Sequence, residues 1–210
     1  RLSGDDDRAT GFAAQARRQL RNACLASLCR ADASHLALAR AQLANANNLT
    51  NRLAALRVWV DSRADDMAVG LGAFASRYAH DALVLDKWFA VQAMAHDAAA
   101  LARVETLTAH PAFRWTNPNN VYALLGAFAM RNPLMFHRVD GAGYRLVADA
   151  ILRLDDITPQ VAARRATAFG SWRNYEPRRR VLMRGELERM AAREGASADL
   201  ADIVARSLAA

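Results

Sequence analysis

The chain has 210 residues, with 28 Lys or Arg against 21 Asp or Glu for a net charge of +7, and 53% of it is hydrophobic. That length suffices for one helical domain spanning residues 1–210 with a real buried core. No apolar stretch approaches membrane-spanning length and no signal peptide is visible, so a membrane role is excluded. Cys24 and Cys29 lack disulfide or metal-ligand spacing, which fits a reducing cytoplasm.

Alanine is abundant, β-branched residues are sparse, and no segment alternates polar and apolar residues long enough for a sheet, so the expected class is all-α. A first helix is predicted over Gly11–Arg30, with Phe12, Leu20, Cys24 and Leu28 on one apolar stripe. Asp32 or Ser34 is suited to cap the next, which runs to the polar break at Asn45–Asn48. Thr50 is the expected N-cap of a helix carrying Leu53, Leu56 and Val60. Further helices are expected over Ala64–Ala79, Asp81–Met94 and Asp97–Thr108.

Later start signals are sharper. Asn117–Pro118 and Thr158–Pro159 each set a capping side chain before a proline at the first helical position, opening helices to about Met130 and Phe169. Gly170 is the expected stop of the second. Asp140–Gly143 reads as a turn into a helix over Tyr144–Leu154, Pro177 opens one ending near Gly195, and Ser197 caps the last. Roughly ten helices in succession, with short connections, resemble an armadillo- or HEAT-like helical-repeat stack without a strict sequence period.

Chemistry-bearing patterns are scarce. His35, His80, His96, His110 and His137 include no pair at zinc-ligand spacing with an adjacent glutamate, and neither a phosphate loop nor a G-x-S-x-G elbow occurs. Adjacent helix residues do not face each other, so Asp65–Asp66 and Asp155–Asp156 read as helix N-terminal charges rather than a catalytic pair. His80–Asp81 reads as a cap. Trp59, Trp88, Phe89, Phe113, Trp115, Phe128 and Phe136 are expected core. The basic residues are almost all arginine, Lys87 being the one lysine, and the densest run, Arg178–Arg180, has glutamates near it. It reads as a solvated helix face, so no nucleic-acid partner is expected.

The strings around the aromatic residues are more specific. Thr50–Leu56 (TNRLAAL), Leu83–Phe89 (LVLDKWF), Thr116–Asn119, Leu125–Phe128, Asn132–Pro133, Phe136–His137, Asp140–Gly141, Gly143–Tyr144, Thr158–Ala162 and Leu182–Arg184 occur in an order and spacing that resemble the C-terminal domain of the bacterial aminopeptidase N family. Residues 1–45 match less well. That family is the zinc-dependent gluzincin aminopeptidases. The resemblance implies a larger parent whose catalytic domain supplies zinc and the glutamate base, while this domain closes over the active site and encloses the substrate chamber. The opening residue Arg1, in place of Met, fits a piece of such a parent. The expected partners are the other domains of the same polypeptide and the peptide substrate.

Carried over by motif, Gln160 and Arg164 fall on the leaving-peptide side of the pocket. They are four apart and share one face of the helix after Thr158–Pro159. Where the family often has a basic residue, two before Leu124, this sequence has Tyr122, an aromatic wall in place of a charge. Arg165 is expected to be a solvated helix charge. The chain by itself is expected to hold no catalytic residue, no metal ligand and no cofactor, and to be inactive. An independent helical-repeat scaffold for a protein partner is the alternative reading.

Overall fold

A computed structural model describes residues 10–209. Thirteen α-helical segments, with short 3-10 turns and one π turn, are joined by short loops, and no strand occurs among the described residues. The chain partitions into two compact units, Arg1–Val91 and Gln92–Ala210.

In the first unit α1 (Phe12–Ala31), α2 (Leu36–Asn45) and α3 (Leu49–Asp61) pack together, and α3 packs on α4 (Met67–Arg77). α5 (Ala82–Ala93) begins after Asp81, whose carboxylate accepts from the Val84 N–H, so the cap reading of His80–Asp81 holds. The core is Leu56, Val60, Phe74, Phe89 and their neighbours, with the Trp88 indole donating to the Leu71 carbonyl at 3.0 Å. A polar knot ties the first three helices: Gln42 Nε2 donates to Asn22 Oδ1 at 2.8 Å and to the Asn51 carbonyl at 3.0 Å.

Two local expectations change here, and a third, open between two residues, is resolved. The cap of α3 is Asn48, which accepts from the Asn51 N–H at 2.9 Å; Thr50 lies inside the helix. Asp32 rather than Ser34 caps the short 3-10 turn before α2. The stripe on α1 faces outward: Phe12, Leu20 and Leu28 are exposed at 88%, 56% and 43%, whereas Ala14 and Leu25 are buried. The inward face carries Ala14 and Leu25 together with Asn22, which joins the polar knot.

The second unit holds α6 (Ala100–Leu107), α7 (Pro118–Val121), α8 (Ala127–Arg131), α9 (Pro133–Phe136), α10 (Ala142–Asp155), α11 (Pro159–Ala166), α12 (Pro177–Ala191) and α13 (Ala198–Ala209). α10 packs against α6, α9, α11 and α12, and it buries Tyr144, Val147, Ala148, Ile151 and Leu154 along one face. Gly141 precedes it at φ 71°, a left-handed conformation that glycine adopts without a Cβ clash. Around Phe136, the rings of Phe128, Tyr144 and Phe169 meet edge-on at 5.2–6.5 Å. Buried Asn132 caps α9 and donates to the carbonyls of Ala93 and Ala95.

The two acidic pairs part company. Asp66 sits at the α4 N-cap position but accepts from the Trp59 indole at 2.9 Å and pairs with Arg40 at 2.7 Å. Asp155 lies at the C-terminal end of α10, contrary to the expected N-terminal role on its own helix. Its buried carboxylate instead accepts from the N–H and hydroxyl of Ser197, at the start of α13. Arg179 is also more than a solvated charge, since its Nε donates to the His137 carbonyl at 2.7 Å.

Candidate functional site

The rod opened by Asn117–Pro118 contains the least regular backbone of the second unit. Asn117 caps it as expected, accepting from the Asn119 N–H, but the helix then widens into a π turn over Tyr122–Gly126 before α8 resumes. π turns inside helices occur frequently at functional positions. Here the turn buries Leu124 and Leu125 while leaving Tyr122 63% exposed.

α11 supplies the facing groups. Its expected capping contact is absent: Thr158 occupies the N-cap position, yet its hydroxyl is buried without a hydrogen-bond partner. Two turns on, Arg164 is exposed and Arg165 is half-buried. The guanidinium of Arg165 lies over the Tyr122 ring, Cζ 5.3 Å from the centroid, within cation–π range. Gly126 makes room for it, since a Cβ at that position would stand 2.5 Å from Arg165 Nη1. Burial, and then the charge of Arg164, lower the Arg165 pKa from its ordinary value. The reading of Arg165 as a bland solvated charge is therefore overturned.

These side chains border a cavity of about 220 Å³. Leu125, Val147, Ile151 and Leu154 form an apolar floor, Tyr122 and Met130 a wall, and Arg131, Arg164 and Arg165 contribute three cations. No carboxylate lines it. Of the residues carried over by motif, Tyr122 and Arg164 meet at this cavity, whereas Gln160 stands exposed on the opening turn of α11 outside it. Sequence reasoning missed Arg165 and Arg131. The one available signal was a glycine one turn after Tyr122, which leaves a gap on that face.

A second polar cluster joins α9, α10 and the segment before α12. His137 Nδ1 lies 2.9 Å from the Tyr144 hydroxyl, and the Tyr175 hydroxyl 3.0 Å from Nε2. Burial, and secondarily the Arg179 charge, lower the His137 pKa, while burial pushes Tyr144 up to about 12. This is a satisfied structural network. Among the described residues no three His, Cys, Asp or Glu side chains gather as a metal site.

Residues 4–209 match a family model described as a domain of unknown function (DUF3458_C) with ARM repeats. The chain belongs to this ARM-repeat family. Aminopeptidase N of Caulobacter vibrioides is 40% identical over 198 residues, covering 93% of this chain and 23% of that protein. Aminopeptidase N of Escherichia coli is 36% identical over 196 residues, covering 92% of this chain and 22% of that protein. A crystal structure of Legionella pneumophila aminopeptidase A in complex with aspartic acid aligns with TM-score 0.90 and 34% identity, over 99% of this chain and 25% of that one. The ARM-repeat domain thus spans less than a quarter of these curated relatives. The resemblance read from the sequence strings and the helical-repeat class both hold, and the chain is of the C-terminal domain type of aminopeptidase N-like proteins. No described helix is long and apolar enough to cross a membrane.

Proposed function

We propose that this chain is the C-terminal domain of a cytoplasmic zinc-dependent aminopeptidase that removes N-terminal residues from peptides. In this reading residues 1–210 act as one domain that caps the active site, encloses the substrate chamber and contacts the leaving peptide. The observation that supports it most is the match over nearly the whole chain to proteins named aminopeptidase N and aminopeptidase A. Zinc and the reacting groups belong to the remainder of the polypeptide. The outward apolar residues of α1, Phe12, Leu20 and Leu28, form a face for the other domains to cover, since apolar patches of that kind mark interaction surfaces.

On the leaving-peptide side this chain binds and orients. Arg164, exposed at a cavity that no carboxylate lines, offers a guanidinium to a peptide carbonyl, Gln160 an amide from the same helix, and Tyr122 a ring and hydroxyl. A charge-assisted hydrogen bond of this kind contributes roughly 1.5–3 kcal/mol, about ten- to a hundredfold. Arg164→Ala in the full-length polypeptide should therefore weaken turnover of longer peptides, mainly through KM, more than turnover of a single-residue amide, which has no leaving peptide. Equal losses on both substrates would point to damaged domain docking. No loss on either would remove Arg164 from the site.

A further inference from the structure

We infer that a groove in the first unit, between α2, α3 and α4, is a binding site for a medium-chain fatty acid, its carboxylate held by Arg52 and Arg77 and its acyl chain laid along α4. The site belongs to the first unit alone and does not rest on the aminopeptidase reading.

The groove has a volume of about 280 Å³. One wall is a stripe of α4 made of Val69, Ala73 and Arg77, which are spaced four apart and so share a helix face. All three are open to solvent, Val69 at 65%. From Val69 to Arg77 the stripe runs about 12 Å at the α-helical rise. A second wall, on α2, carries Arg40 and the exposed Ala44 at the same spacing. Half-buried Arg52 of α3 enters at the Arg77 end, since its Nη1 donates to the hydroxyl of Tyr78, the next residue, at 3.2 Å. Gly70 sets how closely α4 approaches α3: a Cβ there would stand 2.5 Å from the Trp59 ring.

Three guanidiniums line this groove and no carboxylate does. Arg40 is answered by Asp66 at 2.7 Å, outside the lining. Arg52 donates to a neutral hydroxyl, and its Nε is buried without an acceptor. A carboxylate on the Nε edge of Arg52 would accept two parallel hydrogen bonds and supply the missing partner. Cations at one end and an apolar stripe leading away from them describe an amphiphile with one acidic head.

The lining narrows the occupant further. With no acid in the groove an ammonium has no counter-charge there, which excludes free amino acids. The lining side chains offer no acceptor for a backbone N–H, so an extended peptide would leave its amides unpaired. An aromatic acid finds no ring to stack on, because Trp59 is only 7% exposed, with Gly70 against its ring and the Arg40 guanidinium 5.3 Å from its centroid. A linear acyl chain needs none of these partners.

Calorimetric titration of the 210-residue chain with octanoate, octanol and butanoate tests the assignment. Octanoate should bind about tenfold or more tighter than octanol, the size of one charge-assisted contact. It should exceed butanoate by a similar factor, because the shorter chain leaves most of the stripe uncovered. Arg77→Gln and Arg52→Gln should each reduce the preference for octanoate over octanol to within about threefold. Ala73→Glu, at an exposed position, sets a carboxylate in mid-stripe and should weaken octanoate at least about tenfold with the far-UV circular dichroism unchanged. Equal binding of octanoate and octanol, or a preference untouched by both arginine variants, overturns the carboxylate assignment. Octanoate binding unaffected by Ala73→Glu places the acid elsewhere and overturns the groove as its site. Acetyl-Val-Ala-Asp-amide binding as tightly as octanoate overturns the fatty acid in favour of an acidic polypeptide segment. Absence of binding by every probe overturns the inference altogether, and each of these results leaves the aminopeptidase reading standing.

Discussion

Arg165 and Tyr122 meet face to ring across two helices, with the Arg165 Cζ 5.3 Å from the Tyr122 centroid and its Nη1 in the space that a Cβ on Gly126 would enter. Gly126 has ordinary helical angles, φ −64° and ψ −44°, so the backbone does not demand glycine there; the guanidinium does. Alanine at a helical position is favoured over glycine by about 0.5–1 kcal/mol. In the native background Gly126→Ala should forfeit the cation–π contact, also about 0.5–1 kcal/mol, and come out nearly neutral. In an Arg165→Ala background the same change should stabilise by the full amount. Urea denaturation of the four proteins in this cycle measures the difference, and an equal gain in both backgrounds would place Arg165 elsewhere.

Gly143 is a stricter requirement. A Cβ at this position, in the first turn of α10, would lie 2.3 Å from the Met135 carbonyl oxygen and 2.4 Å from that of Phe136, both backbone atoms that cannot swing aside. Gly143→Ala should cost at least about 1–3 kcal/mol through overpacking. Gly185, inside α12 with nothing within 4 Å of its would-be Cβ, is the matched control. Gly185→Ala should gain about 0.5–1 kcal/mol. Thermal denaturation of the two variants should move the midpoint in opposite directions.

The His137 network predicts a pH effect. Burial and the nearby Arg179 charge lower the imidazole pKa in the folded chain, whereas the unfolded value is about 6.5. As pH falls below that unfolded value, the unfolded state takes up the proton first. Stability linked to His137 is therefore complete above about pH 6.5 and declines as pH drops through the lowered folded value. His137→Gln should remove this slope, and it should cost about 1–2 kcal/mol at neutral pH because Tyr144 and Tyr175 lose an aligned partner. Denaturant titrations between pH 7 and 5 test it. An unaltered slope in the variant would assign the pH dependence to other groups.

Asp155 holds the last helix. Its carboxylate, 2% exposed, accepts from the Ser197 N–H at 2.9 Å and from the Ser197 hydroxyl, with Arg193 Nη1 3.4 Å away. Asp155→Ala should cost about 3 kcal/mol and raise amide hydrogen exchange selectively across Ala198–Ala209. Ser197→Ala keeps the backbone donor and should cost only about 1 kcal/mol. Loss of protection spread evenly through both units, rather than confined to α13, would deny Asp155 this local role.

What could be read locally was read well. Asn117–Pro118, Pro177, Asp140–Gly141 and Ser197 mark helix starts because a capping side chain and a preset φ act within three or four residues. The all-α class followed from composition and period, and the ordered strings from Thr50 to Arg184 carried the family. The α3 start failed only in choosing between two nearby capping residues, Thr50 and Asn48, which compete on equal chemistry.

Tertiary structure alone decided the rest. The inward side of α1 brings Ala14 and Leu25 into the core and Asn22 to Gln42 and Asn51 on later helices, while Phe12, Leu20 and Leu28 stay outside. Asp155 serves a helix that begins long after its own has ended. Arg165 is separated from Tyr122 and Gly126 by the whole of α10, and only the packing of α11 against that helix brings them together. Spacing along a chain fixes what a residue can touch within one turn or two. Whether a guanidinium ends in solvent or over a ring at the mouth of a cavity is set by contacts between elements, which no local pattern records.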